Sequence, residues 1–167
     1  MYRITTVCTG NICRSPMAEH LLRAALQEAG VEGVDVDSAG TSDWEIGRPM
    51  DPRAAELLRR QGLDPSGHAA RQFAAEDFAD TDLVLALDTD HFGALRRLAG
   101  NESDRSKVHM LRSFDPEVAQ KAPAQQGIYD PWYGDEADFA ITEQLITAAV
   151  PGLVRHIRTR TADPRGA

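Results

Sequence analysis

Leu83-Val84-Leu85-Ala86-Leu87 is an unbroken apolar run with no polar position on either side of a strand's pleat. A strand of this kind must be covered on both faces, which points to an inner strand of a parallel sheet with helices above and below. The rest of the chain fits that demand. Arg3–Val7 reads as a strand, followed by a loop and a helix over Pro16–Glu28 whose apolar face is Met17, Leu21, Leu22, Ala25 and Leu26. Ser15 is the expected N-cap, Pro16 suits the first helical position, and Gly30 ends the element. Val34–Ala39 alternates as a second strand, and a polar loop over Gly40–Met50 follows. Asp51-Pro52 opens a helix that stops near Gly62. Asp88-Thr89 caps another, running to about Leu98. Lys107–Met110 is a short edge strand, and a long loop then carries Asp130-Pro131-Trp132-Tyr133. A last helix is expected from about Glu136 to Thr159, disturbed at Pro151-Gly152, with Thr161–Ala167 a frayed tail. Strands alternating with helices predict an α/β fold: one domain over residues 1–160, with a four-stranded, mostly parallel sheet and helices on both faces. At 167 residues the chain is long enough to bury a core of that size.

In such sheets ligands gather at the carboxyl ends of the strands, beside a topological switch point. There, directly after the first strand, stands Cys8-Thr9-Gly10-Asn11-Ile12-Cys13-Arg14-Ser15. The loop feeds a helix N-terminus, where unpaired N–H groups and the positive end of the helix dipole attract an anion. Gly10 permits a tight backbone, and Asn11 tolerates a left-handed conformation, so successive amides can form an anion nest. Arg14 adds a bidentate fork for two phosphate oxygens. The same field favours a thiolate at Cys8, a nucleophile for phosphorus that yields a phosphocysteine intermediate. A cysteine and an arginine with five residues between them also occur as a buried thiol beside a surface charge. The preceding strand, Gly10-Asn11 and the Ser15-Pro16 helix start decide for chemistry. A nucleotide-binding Walker loop is excluded, because its Gly-Lys-Ser/Thr ending is absent.

The net charge of −8 argues against a general nucleic-acid binder and leaves anion capture to local groups. No apolar run reaches the roughly 18 residues of a membrane span, and Met1–Ile4 lacks a signal-peptide pattern, so the expectation is a cytoplasmic protein without membrane attachment. The only cysteines are Cys8 and Cys13, which read as reactive thiols and not as a structural staple. Cys13 is a candidate redox guard, forming a reversible disulfide with Cys8 under peroxide. His20, His68, His91, His109 and His156 are scattered, so no metal and no cofactor is expected.

Val7 to Pro16 resembles the signature of the low-molecular-weight protein tyrosine phosphatases. The likeness extends through Ser38-Ala39-Gly40-Thr41, Trp44, Asp51-Pro52-Arg53-Ala54 and His68 to Asp130-Pro131-Trp132-Tyr133, covering roughly Tyr2 to Ile157. The resemblance implies a flavodoxin-like, doubly wound sheet and hydrolysis of phosphotyrosine in proteins or peptides, with inorganic phosphate as product and a monomer as default. Cys8 would be the nucleophile. Arg14 and the loop Thr9, Gly10, Asn11, Ile12, Cys13 and Ser15 would bind phosphate. Asp-Pro is usually a turn; the resemblance singles out Asp130, followed by aromatics, as general acid and then base, needed because the leaving phenol has a pKa of about 10. Ile12, Trp44, Trp132 and Tyr133 would wall the pocket. Asn11, Ser15, Ser38 and His68 would form a hydrogen-bond network under the loop. Asp88 either touches that network or merely caps a helix. Arg48, Arg53 and Arg71 are placed near the cleft rim, as influences on peptide choice or as plain solvated charges.

Related activities are weighed on the same residues. An arsenate reductase needs later resolving cysteines, and none follows Cys13. Protein arginine phosphatases resemble this chain but typically carry threonine where Ile12 stands. A non-catalytic phosphoprotein-binding module would not need Cys8, Arg14 and Asp130 together.

Overall fold

The structure, a computed structural model, describes residues 1–162. Its centre is a parallel sheet of β1 (Tyr2–Cys8), β2 (Val34–Gly40), β3 (Leu83–Ala86) and β4 (Val108–Met110) in the order β2-β1-β3-β4. Every pairing is parallel, β4 included. The chain leaves β1 for β2 on one side, then crosses back to place β3 on the other. This reversal makes the carboxyl end of β1 the switch point.

Among the described residues five α-helices pack with the sheet: α1 (Arg14–Glu28), α2 (Pro52–Arg60), α3 (Thr89–Leu98), α4 (Glu102–Ser106) and α5 (Glu136–Ala162). The β3 run divides as a doubly covered strand must. Leu83, Leu85 and Leu87 enter one core with Met17 and Leu22 of α1, Ala54 and Leu58 of α2, and Phe139, Ile146 and Leu153 of α5. Val84 and Ala86 enter the other with Phe73, Phe78 and Leu95 of α3.

Several boundaries differ from expectation for physical reasons. Helix α1 begins at Arg14, with Cys13 at the N-cap providing no side-chain hydrogen bond; Ser15 lies inside the first turn and turns its hydroxyl to the loop. The α1 amides are thus left without a side-chain cap, unlike those of α2, whose Asp51 cap accepts from the Arg53 N–H. Helix α5 runs without a break through Pro151 to Ala162. A side chain at Gly152 would collide with the Phe114 carbonyl, so this glycine serves a close approach of the 3₁₀ turn Leu111–Phe114 to the helix. Thr161 and Ala162 therefore belong to α5, and the rest of the anticipated tail lies outside the described residues. The short α4, capped by Asn101, was not anticipated. Among the described residues no helix is long and apolar enough to cross a membrane.

Candidate active site

Cys8, the last residue of β1, pairs in register with Gly40 of β2. A Cβ at position 40 would lie 2.5 Å from the Thr9 carbonyl oxygen and 3.3 Å from the Asn11 nitrogen, so the loop folds over Gly40 at a distance only glycine allows. Thr41 and Ser42 N–H groups donate to the carbonyls of Cys8 and Thr9 at 2.8 and 3.0 Å, and the Asp51 N–H donates to Ile12 at 2.8 Å. Gly10 is not in the left-handed region; a side chain there would press on Glu45.

The left-handed residue is Asn11, at φ 58°, the one non-glycine with positive φ among the described residues. Its fully buried side chain holds that conformation from three directions. Nδ2 donates to Ser15 Oγ and Ser38 Oγ, each at 2.9 Å, and Oδ1 accepts from the Arg71 N–H at 2.9 Å. His68 Nε2 lies 2.6 Å from the Asn11 carbonyl oxygen. Ser38 Oγ donates in turn to Glu19 Oε2 at 2.6 Å. Ser15, Ser38 and His68 are thus brought together around Asn11, with Glu19 and Arg71 as additional members. Glu19 gave no sequence signal, since an acidic residue on a helix usually faces solvent.

Cys8 Sγ lies 3.0 Å from Ser15 Oγ. That hydroxyl also faces the Ala39 carbonyl at 3.1 Å. Serine has one proton. With Cys8 as a thiol, S–H donates to Ser15 and Ser15 donates to Ala39; with Cys8 as a thiolate, the serine proton turns to sulfur. The second thiol differs. Burial, reinforced by the Asp51 carboxylate and by Cys8, pushes the Cys13 pKa far up, so it remains a neutral thiol.

Arg14 is 4% exposed, and both of its terminal nitrogens are engaged. Nη1 donates to Asp88 Oδ2 at 2.8 Å and to the Ile128 carbonyl at 3.0 Å, while Nη2 donates to Asp130 Oδ2 at 2.9 Å. Of the two expected roles Asp88 takes the cap, Oδ1 accepting from the N–H groups of Asp90 and His91 at the start of α3; it touches none of Asn11, Ser15, Ser38 and His68, and its Oδ2 instead holds Arg14. Burial disfavours its charged form, but His91 and Arg14 outweigh that and hold the carboxyl below its usual range.

His91 was scattered in sequence but is not scattered in space. Only 2% exposed, it sets Nε2 2.8 Å from Thr9 Oγ1 and Nδ1 3.1 Å from Asp88 Oδ1. Burial lowers its pKa to about 4, so the ring is neutral near pH 7.

Above the loop opens a cleft of about 230 Å³. It is lined by Cys8, Thr9, Gly10, Ile12, Cys13 and Arg14 of the loop, by Trp44 and Glu45, and by Asp130, Trp132 and Tyr133. Trp44 and Tyr133 are 76% and 96% exposed, and the Trp132 and Tyr133 rings lie 5.4 Å apart. Of the three rim arginines, Arg48 pairs with Glu45, while Arg71 bridges Asp37 and Asp77, so neither presents a free charge. Arg53 is bound to Asp51 and to the Asp130 loop.

The family model for the low molecular weight phosphotyrosine protein phosphatase matches residues 3–162. A low molecular weight protein-tyrosine-phosphatase of Streptomyces coelicolor is 46% identical over 158 residues, 94% of each chain. Low molecular weight protein-tyrosine phosphatase A of Mycobacterium tuberculosis is 43% identical over 160 residues, covering 95% of this chain and 93% of the relative. Among solved structures, a protein tyrosine phosphatase from Entamoeba histolytica superposes with a TM-score of 0.87 at 26% identity, covering 96% of this chain and 99% of the other. The resemblance seen in the loop therefore extends through the whole α/β domain, and the chain belongs to the low molecular weight phosphotyrosine protein phosphatase family.

Proposed function

We propose that this protein hydrolyses phosphotyrosine in proteins or peptides through a phosphocysteine intermediate. The observation that carries the reading is the convergence of Cys8, Arg14 and Asp130 on one aromatic-walled cleft, with Arg14 Nη2 2.9 Å from Asp130 Oδ2. Phosphate oxygens entering the cleft take the Arg14 fork and the loop amides, and Asp130 is released to face the ester oxygen. Cys8 thiolate attacks phosphorus. The bond from phosphorus to the tyrosine oxygen breaks, and protonated Asp130 donates its proton to that oxygen. Arg14 and the amides stabilise the equatorial oxygens as charge redistributes. A water then attacks phosphocysteine and gives a proton to Asp130, and inorganic phosphate leaves as Cys8 thiolate re-forms, stabilised by the Ser15 hydroxyl.

Under peroxide, Cys8 sulfenic acid condenses with the Cys13 thiol to a disulfide, releasing water. The Cys13 proton leaves with the sulfenic hydroxyl. We place the reaction in the cytoplasm, with the protein acting as a monomer.

The test compares wild type, Cys8→Ser and Asp130→Asn on a phosphotyrosine peptide and on its phosphoarginine counterpart. We expect turnover of phosphotyrosine by wild type alone, a phosphoryl adduct on the Cys8 peptide of Asp130→Asn by mass spectrometry, and weak turnover of phosphoarginine. Preference for phosphoarginine, or activity surviving in Cys8→Ser, would overturn the proposal.

A further inference from the structure

Arg53 lies in the first turn of α2, yet its guanidinium joins two loops. Nε and Nη2 bind the Asp51 carboxylate at 3.1 and 2.9 Å. Nη1 donates to the Gly134 carbonyl at 2.8 Å, and Nη2 also donates to the Trp132 carbonyl at 3.1 Å. The guanidinium carbon sits 4.5 Å from the centre of the Phe139 ring. Asp51 meanwhile donates its N–H to the Ile12 carbonyl in the Cys8 loop at 2.8 Å. A continuous line of contacts thus runs from Ile12 through Asp51 and Arg53 to the turn that follows Asp130.

The turn has little else to hold it. The Trp132 N–H bonds to Asp130 and the Gly134 N–H to Pro131, both within the turn. Among the described residues, every hydrogen bond joining residues 131–134 to chain outside the 130–134 turn comes from Arg53. A planar fork can grip two carbonyls and a carboxylate at once, which a lysine ammonium on a single axis cannot match.

We propose that Arg53 is a positioning residue for the reaction, fixing the Asp130 turn against the Cys8 loop so that the acid meets the leaving oxygen. This rests on the reading of Asp130 as general acid. Displacing a proton donor by a fraction of an ångström costs most where the leaving group needs its proton, and little where it does not.

The experiment uses the full chain with Arg53→Ala, Arg53→Lys, Asp130→Asn and the Arg53→Ala/Asp130→Asn double variant, on phenyl phosphate and on para-nitrophenyl phosphate, with inorganic phosphate as a competitive inhibitor. Arg53→Ala should lower kcat/KM, which reports the step that expels the phenol, roughly ten- to a hundredfold on phenyl phosphate, with a much smaller loss on the nitrophenyl ester and an unchanged inhibition constant for phosphate. Arg53→Lys should recover part of the loss. In the double variant Arg53→Ala should add nothing to the phenyl phosphate loss of Asp130→Asn, because both act through one group. Equal losses on both esters, additive with Asp130→Asn, would reduce Arg53 to a scaffold residue and overturn the inference. Should Arg53→Ala fail to fold, Arg53→Lys decides by the same ester comparison: a selective loss supports the inference and none overturns it. If Asp130→Asn itself loses equally on both esters, the acid assignment fails and this inference fails with it, an outcome distinct from failure of Arg53 alone.

Discussion

Arg14 Nη1 and Asp88 Oδ2 stand 2.8 Å apart, across 74 residues of sequence, and the same carboxylate caps α3 through its other oxygen. One side chain thus fixes both the start of a helix and the direction of the Arg14 guanidinium. Asp88 is a quarter exposed, whereas Arg14 is buried, and the other terminal nitrogen of the same guanidinium donates to Asp130.

Removing this strut should weaken phosphate binding more than folding. Asp88→Ala is expected to lower kcat/KM on para-nitrophenyl phosphate by about tenfold or more, the scale of losing a charge-assisted hydrogen bond of about 1.5–3 kcal/mol. Asp88→Asn keeps the cap acceptor and should fall between. Competitive inhibition by inorganic phosphate measures the effect directly, and an unchanged inhibition constant in Asp88→Ala would refute the strut.

Asn11 combines a left-handed backbone with three side-chain hydrogen bonds. Asn11→Ala should destabilise the fold by roughly 2–4 kcal/mol, combining αL strain with lost buried hydrogen bonds. Asn11→Gly relieves the strain but not the lost bonds, and should be less damaging. Urea midpoints of the two variants check the order; alanine no worse than glycine would contradict it.

Gly40→Ala should be costly although it adds one methyl group. The new Cβ meets the Thr9 carbonyl at 2.5 Å, and a backbone oxygen cannot swing aside as a side chain can. We expect a loss of roughly 1–3 kcal/mol from overpacking together with a strong drop in turnover, since the displaced segment is the Cys8 loop to which the proposed mechanism gives phosphate binding. Thermal unfolding and steady-state kinetics on one preparation test this, and wild-type kcat would rule out the close approach.

His91 predicts a pH dependence of stability. Its folded pKa, about 4, lies below the ordinary value of 6.5, because burial disfavours the charged ring. The unfolded chain therefore binds the extra proton first as pH falls. The contribution is fully present above about pH 6.5 and is lost progressively towards pH 4, with a ceiling of about 3 kcal/mol. His20, His109 and His156 are shifted the same way and add to the slope. Denaturant unfolding at several pH values across this window should show a shallower slope for His91→Asn than for wild type; identical slopes would count against a buried neutral His91.

The local content of this protein could be read from its sequence. The β3 run demanded cover on both faces because no polar residue interrupts it, and the alternation of strands with amphipathic helices followed from period alone. Cys8 and Arg14 could be singled out as candidates because strand, loop and helix start are contiguous within one short stretch. The pairing of Asp130 with that stretch was legible only through resemblance, since Asp-Pro by itself signals a turn. Tertiary structure decided what depends on distance through space. It set Ser15 to the loop instead of the helix cap, and gave Asp88 both a helix to cap and Arg14 to hold. It also gathered Glu19, Arg71 and His91 beneath the loop and turned Arg53 from a rim charge into a clamp. The physical reason is that a polar side chain's partner is fixed by which strands and helices are neighbours, and no periodicity or composition carries that information across tens of residues.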